Sequence, residues 1–285
     1  MEKGVLCGSA ENLLDASVMG DRERQPCMSK KTMTVLDCSS LETTLLSLVP
    51  FLCVDVDGIT NRLLAPKLNP ANEELVVQDI SMTLLGEFPE RSEGWPYTSI
   101  TWFHLTRTSD LQRYREGIKP VTDVVDQIWA ELRSACDNEG IMLDWQDLRH
   151  WVETESTGHF AELYRLKQEP GMQGPFGMLL LESARHERPG DNHYLRCPET
   201  IEDICKEVKA RTGIEIIEAY QKNTRPAVVK FLDQEPCLEC AEVALYYAYC
   251  SLWNQDYDSS WNIYFDGDGS SVPASMIVSV DHIHI

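Results

Sequence analysis

One run of residues constrains the fold more than any other. Ser99–Leu105 is rich in β-branched and aromatic residues and predicts a short strand. Strand side chains alternate between faces, so His104 and Thr106 share one face. There an imidazole and a hydroxyl can meet a single polar ligand. Gly117-Ile118-Lys119-Pro120 then predicts a turn into a helix, with Pro120 suited to a first helical position. Val121, Val124, Val125, Ile128, Trp129 and Leu132 follow helical spacing. Asp123 and Asp126 sit near the helix start, where they suit its dipole.

The rest of the chain alternates less regularly. Pro198 opens a second helix with a stripe of Ile201, Ile204, Cys205 and Val208, and Gly213 stops it. A third helix is expected from Leu238 to Leu252 through Ala241, Ala244, Leu245 and Ala248. Strands are expected at 178–181, 227–232, 261–265 and 276–280, the last two separated by the turn-rich Asp266–Ser271. Strands and helices mix without strict βαβ order, which favours α+β over a doubly wound sheet. The run Leu45–Val54 is too short to span a membrane and reads as a buried helix end or strand.

Three segments are expected. Residues 1–35 are polar and read as a loose arm or a short peripheral helix. Residues 36–95 read as an N-terminal subdomain with apolar runs at 45–54 and 75–85. The turn-rich stretch Glu87–Pro96 bounds it, and residues 97–285 follow as the main domain.

The net charge of -21 disfavours broad binding to nucleic acid or to an anionic membrane. A local basic site is still open, because Arg107, Arg113, Arg115 and Lys119 cluster around the strand and turn. The 10 cysteines are scattered along a chain of 285 residues that is long enough to fold without staples. The amino terminus carries no secretory pattern. A reducing cytoplasmic setting without disulfides is therefore expected.

Cys237-Leu-Glu-Cys240 has the spacing of half a zinc site, but no second Cys-x-x-Cys accompanies it, and His282 and His284 lie far off on the expected last strand. We read the pair as two cysteines at the start of the third helix and expect no metal. Asp266-Gly-Asp-Gly269 lacks the glutamate of a calcium loop and reads as a hairpin turn. Glycine-rich nucleotide loops and the nucleophile elbow of α/β hydrolases are missing from the sequence.

Phe103-His104-Leu105-Thr106, followed by Arg115–Pro120 before a helix, resembles the opening of the ADP-ribosyltransferase fold. The likeness is to the diphtheria-toxin-like and DNA-modifying branches, where His-x-Thr precedes a Gly-Ile or Gly-Leu turn. Ser271–Val280 resembles that family's closing proline turn and final strand. The arginine-rich pattern of RNA 2′-phosphotransferases is not seen, which disfavours that branch. The resemblance is firm over the motif itself and covers 97–285 as an order of elements.

It implies a split mixed β-sheet core of ADP-ribosyltransferase type with flanking helices. It also implies NAD as substrate, with His104 and Thr106 binding its ribose. Tyr194, just before the second helix, is the candidate to stack on nicotinamide. No Glu-x-Glu pair stands in the expected late strand, and Glu235 is the candidate catalytic carboxylate. The chemistry asks for these groups. Breaking the nicotinamide–ribose bond builds positive charge on the ribose, which a carboxylate stabilises while hydrogen bonds hold the sugar. An aromatic face positions the nicotinamide ring. His104 needs one defined tautomer, which a neighbouring carbonyl or hydroxyl would fix.

The expected activity is transfer of ADP-ribose from NAD to a macromolecule, as in a toxin or defence effector, or NAD hydrolysis. The acidic balance makes a protein target or NAD alone the expected partner, with extended nucleic acid and membrane disfavoured. The rival expectation is a degenerate, non-catalytic protein-binding module on the same fold.

Overall fold

A computed structural model describes residues 34–70, 80–182, 193–258 and 261–284. The expected arm at 1–35 lies outside them, apart from Thr34 and Val35, and so do residues 75–79 of the second apolar run. Residues 33–285 group as a single compact unit.

The strand predicted at Ser99 is the longest in the protein's described part and runs further than expected, to Thr108 (β2). It is an interior strand. Arg225–Asp233 (β5) pairs antiparallel along its whole length, from Ile100 opposite Asp233 to Thr108 opposite Arg225. On its other edge Val35–Leu36 (β1) pairs parallel at Ser99 and Ile100, and Phe176–Met178 (β4) pairs antiparallel at Phe103. Tyr264–Asp266 (β6) and Ile277–His282 (β8) complete a mostly antiparallel sheet in the order β6-β4-β2-β5-β8. The protein is thus an α+β fold.

The sheet's main face packs on helices. Ser40 and Thr43 close a capping box at the start of Leu41–Leu52 (α1), which settles that segment as a buried helix. Val56–Leu63 (α2), capped by Asp55, and Ile80–Gly86 (α3) follow. Leu238–Leu252 (α9) is buried nearly all round, as a central helix must be. These four helices share one core with Ile100, Trp102, Val229 and Phe231 of the sheet. The expected subdomain at 36–95 therefore packs into the same core as the C-terminal part.

A second core is wholly helical. It joins Val121–Asn138 (α4), Trp145–His150 (α5), a π-helical turn at Trp151–Glu155, His159–Leu166 (α6), Glu199–Thr212 (α7) and Ile217–Asn223 (α8) through Ile128, Leu132, Tyr164, Ile204 and Tyr220. Pro120 and Pro198 cap α4 and α7 from outside the first turn, and Gly213 ends α7 in the left-handed conformation.

Some expectations need correction. The strand expected at 178–181 is β4, which overlaps it only at Met178, and the strand expected at 261–265 is ordered as β6 from Tyr264. Gly117–Ile118 is a short strand (β3) rather than a bare turn, and it pairs with Val272–Pro273 (β7). Cys237 and Cys240 are joined by a disulfide, against the expectation of none. The extended backbone of Cys237 at the helix cap sets the two Cα atoms 5.4 Å apart, inside the range a disulfide spans.

Gly117 is the tightest contact in the β3–β7 ribbon. Its φ is +102°, and a Cβ there would collide with the Val272 carbonyl. Gly117→Ala is expected to lower stability by about 2–3 kcal/mol, from left-handed strain plus the clash. Urea unfolding checks this.

Candidate active site

Where β4 ends, the edge of β2 beyond Phe103 has no ladder partner among the described residues. A cavity of about 970 Å³ opens there. That is near the upper end of the range for small-molecule sites, roughly 300–1,000 Å³. Because the cavity wraps a free strand edge, side chains of both β2 faces line it. His104 and Thr106 come from the face that carries Ile100 and Trp102. Phe103, Leu105 and Arg107 come from the other.

His104 is half-buried, and its Nδ1 lies 2.9 Å from the Phe176 carbonyl oxygen. A carbonyl only accepts, so Nδ1 carries the hydrogen, and Nε2 is left with the lone pair. Burial, with Arg113 nearby, holds the imidazole below its ordinary pKa of 6.5, against the opposing pull of the Phe176 carbonyl. His104 is therefore neutral at pH 7. Thr106 is buried, and its hydroxyl accepts from the Tyr114 hydroxyl at 3.2 Å. The Tyr114 ring lies 6.1 Å from the His104 ring. Burial raises the Tyr114 pKa, so it stays a donor.

This shift has a consequence for stability. Below pH 6.5 the unfolded chain protonates this histidine before the folded one does. Stability contributed by neutral His104 is thus present above 6.5 and is lost as pH falls from there towards the lowered folded value. His104→Asn is expected to flatten the acid side of the stability profile, read as urea midpoints between about pH 7 and 5.

Tyr194 reaches the cavity from the opposite side of the strand. It packs on the small cluster of Phe103, Leu105, Met178, Leu195 and Val228. Its hydroxyl donates to Glu199 Oε1 at 3.2 Å, and Lys167 Nζ stands 3.5 Å from Glu199 Oε2. Glu199 is the first residue of α7, where the helix dipole favours its charge. Lys167 also pairs with Asp203.

Arg107 fixes this arrangement. It is a buried guanidinium that donates to the Leu195 carbonyl at 2.9 Å, to the Gln221 and Thr224 carbonyls at 2.9 Å each, and to the Thr224 hydroxyl at 3.2 Å. It thereby ties the residue after Tyr194, the end of α8 and the start of β5 to β2. Burial lowers its pKa, without approaching neutrality in any working range.

The other cations of the sequence cluster arrive at the same cavity. Arg113 pairs with Glu131 at 3.0 Å, and Lys119 with Glu116 at 3.3 Å on the surface. Arg115 is exposed at the rim and has no ion pair among the described residues. Its charge is available to an anion.

The structure thus brings His104, Thr106 and Tyr194 together around one space. Glu235 is not with them. It lies exposed in the turn between β5 and α9, beyond the far end of β2 from His104, and does not line the cavity. The carboxylates that do are Asp110, Glu116, Glu131 and Glu199. Tyr114, Lys167, Glu199 and Tyr264 are lining residues that the sequence did not single out. Tyr114 was within reach, since it lies between two of the clustered arginines. Lys167 and Tyr264 carry no local signal, because only tertiary packing brings them in.

Among the described residues no three His, Cys, Asp or Glu side chains converge as a metal site. No single described helix is long and apolar enough to cross a membrane. Compared with protein-family models, with curated proteins and with solved structures, the chain matches none.

Proposed function

We propose that the protein cleaves NAD at its nicotinamide–ribose bond and transfers ADP-ribose to a protein or to water, on a sheet core of ADP-ribosyltransferase type. The observation that carries this reading is the convergence of His104, Thr106 and Tyr194 on one cavity, with the His104 tautomer set by the Phe176 carbonyl. In this reading Nε2 of His104 accepts from a ribose hydroxyl, and the Thr106 hydroxyl holds the next. Tyr194 flanks the nicotinamide. Arg115 meets the pyrophosphate. As the glycosidic bond lengthens, positive charge grows on the ribose ring, and a carboxylate lowers the barrier. Glu235 does not line the cavity, so the role passes to Glu199, beside Tyr194. Six free thiols beside one disulfide among the described residues suit work in a reducing compartment such as the cytoplasm.

One observation favours the rival reading of a non-catalytic binding module. Each lining carboxylate already has a partner: Glu199 has Tyr194 and Lys167, Glu131 has Arg113, Glu116 has Lys119, and Asp110 caps the backbone of Gln112.

Calorimetry with NAD, followed by a nicotinamide-release assay, tests both. Binding with release supports the enzyme. Binding without release across protein and nucleic-acid targets supports the module. No binding ends the NAD reading and leaves the protein-binding module. Arg115→Glu is expected to weaken NAD binding about tenfold at low salt and less at high salt, as screening predicts for an exposed charge.

A further inference from the structure

We propose that Cys237 and Cys240 form a reversible dithiol–disulfide site that exchanges with small thiols of the glutathione class, apart from the NAD cavity. The bond is formed in the folded protein, yet it closes a loop with a sequence separation of 3. So short a loop restricts the unfolded chain little, so the bond is a poor structural staple. The anchor of α9 lies elsewhere. Cys240, Ala241, Ala244, Leu245 and Ala248 are buried in the main core whether or not the bond exists.

The two sulfurs are unequally placed. Cys237 is half-buried at the helix cap, within reach of solvent, while Cys240 is fully buried. An external thiolate therefore meets Cys237 first. It attacks the Cys237 sulfur, the Cys237–Cys240 bond breaks, and its electron pair leaves on the Cys240 sulfur. That sulfur lies in the first turn of α9. A second external thiolate attacks the sulfur of the first reagent in the mixed disulfide and releases the Cys237 thiolate. Both thiolates take protons from water. The site gains two electrons, and two external thiols are oxidised to one disulfide. The reverse sequence re-forms the bond.

The other described cysteines set the contrast. Cys38, Cys136, Cys197, Cys205 and Cys250 are buried free thiols, and Cys53 is an exposed free thiol. A chain keeping these thiols reduced beside one pair that reaches solvent at Cys237 fits a bond that opens and closes rather than one that staples.

The test is peptide mapping of the intact protein after alkylation without denaturant, across a series of glutathione redox buffers. The pair is expected to pass from unlabelled to labelled at Cys237 as the buffer becomes reducing and to return on reoxidation, while the melting temperature moves by only a few degrees. Cys240→Ser is expected to accumulate a mixed disulfide with glutathione at Cys237. Cys237→Ser should accumulate none, because Cys240 is out of reach. A pair that stays labelled in every buffer, or that opens only in denaturant, overturns the proposal. So does a Cys240→Ser protein that captures no glutathione while its circular dichroism matches that of the wild type.

Discussion

If the protein cleaves NAD as proposed, nicotinamide release by the His104→Ala variant is expected to fall by on the order of a hundredfold or more, because the ribose would lose the group that orients it. Stability should change by about 1 kcal/mol or less, since the side chain lines an open cavity and gives up one hydrogen bond, to the Phe176 carbonyl. The measurement is release of labelled nicotinamide from NAD, with unfolding curves recorded on the same preparations. A fold that holds while activity disappears assigns His104 to the chemistry. Release that survives the substitution moves the reacting centre to another part of the cavity.

The largest structural effect is expected at Arg107. Arg107→Met keeps the aliphatic stem but strips the donors from three carbonyls and one hydroxyl. Buried acceptors left unpaired cost about 1–3 kcal/mol each, so a loss of about 3 kcal/mol or more is expected even with partial relaxation. Arg107→Lys should recover only part of it, because one ammonium cannot reproduce a planar fork that reaches Leu195 and Thr224 together. Urea unfolding of the three proteins checks the order. Because Arg107 holds the carbonyl next to Tyr194, weakened NAD binding should accompany the loss in both variants.

The elements that could be read from the sequence are those with a strong local period or a hard stop. β2 announces itself by its β-branched and aromatic run, α4 and α7 by proline entry and an apolar stripe, and α7 again by Gly213. Short helices such as α5 and α8 were missed, since they are stabilised by the helical core more than by their own pattern. β6 was displaced because its pairing with β4 fixes it from Tyr264 onward, whatever the aromatic content upstream. At the site, His104 and Thr106 were legible because they lie on one strand. Glu235 stands apart from the cavity for a physical reason. Position along a strand says which end a residue occupies only once the partner's direction is known, and β5 runs antiparallel to β2. The disulfide escaped because cysteines scattered along a chain of this length read as free thiols. The pairing joins the extended cap residue Cys237 to Cys240 in the first turn of α9, with Cα atoms 5.4 Å apart.

The cavity lies between two separately packed cores. Ile118 belongs to the sheet core, while Ile128, Ile201 and Tyr220 belong to the helical one, and all four line the same space. A guest molecule spanning that space behaves as a rivet. Its binding free energy is shared by two blocks that Arg107 also ties together at the end of α8, and both gain protection in proportion to occupancy. Amide exchange should therefore slow together in α4 and in β3 when ligand is added, although Ile118 packs in the sheet core and Ile128 in the helical one.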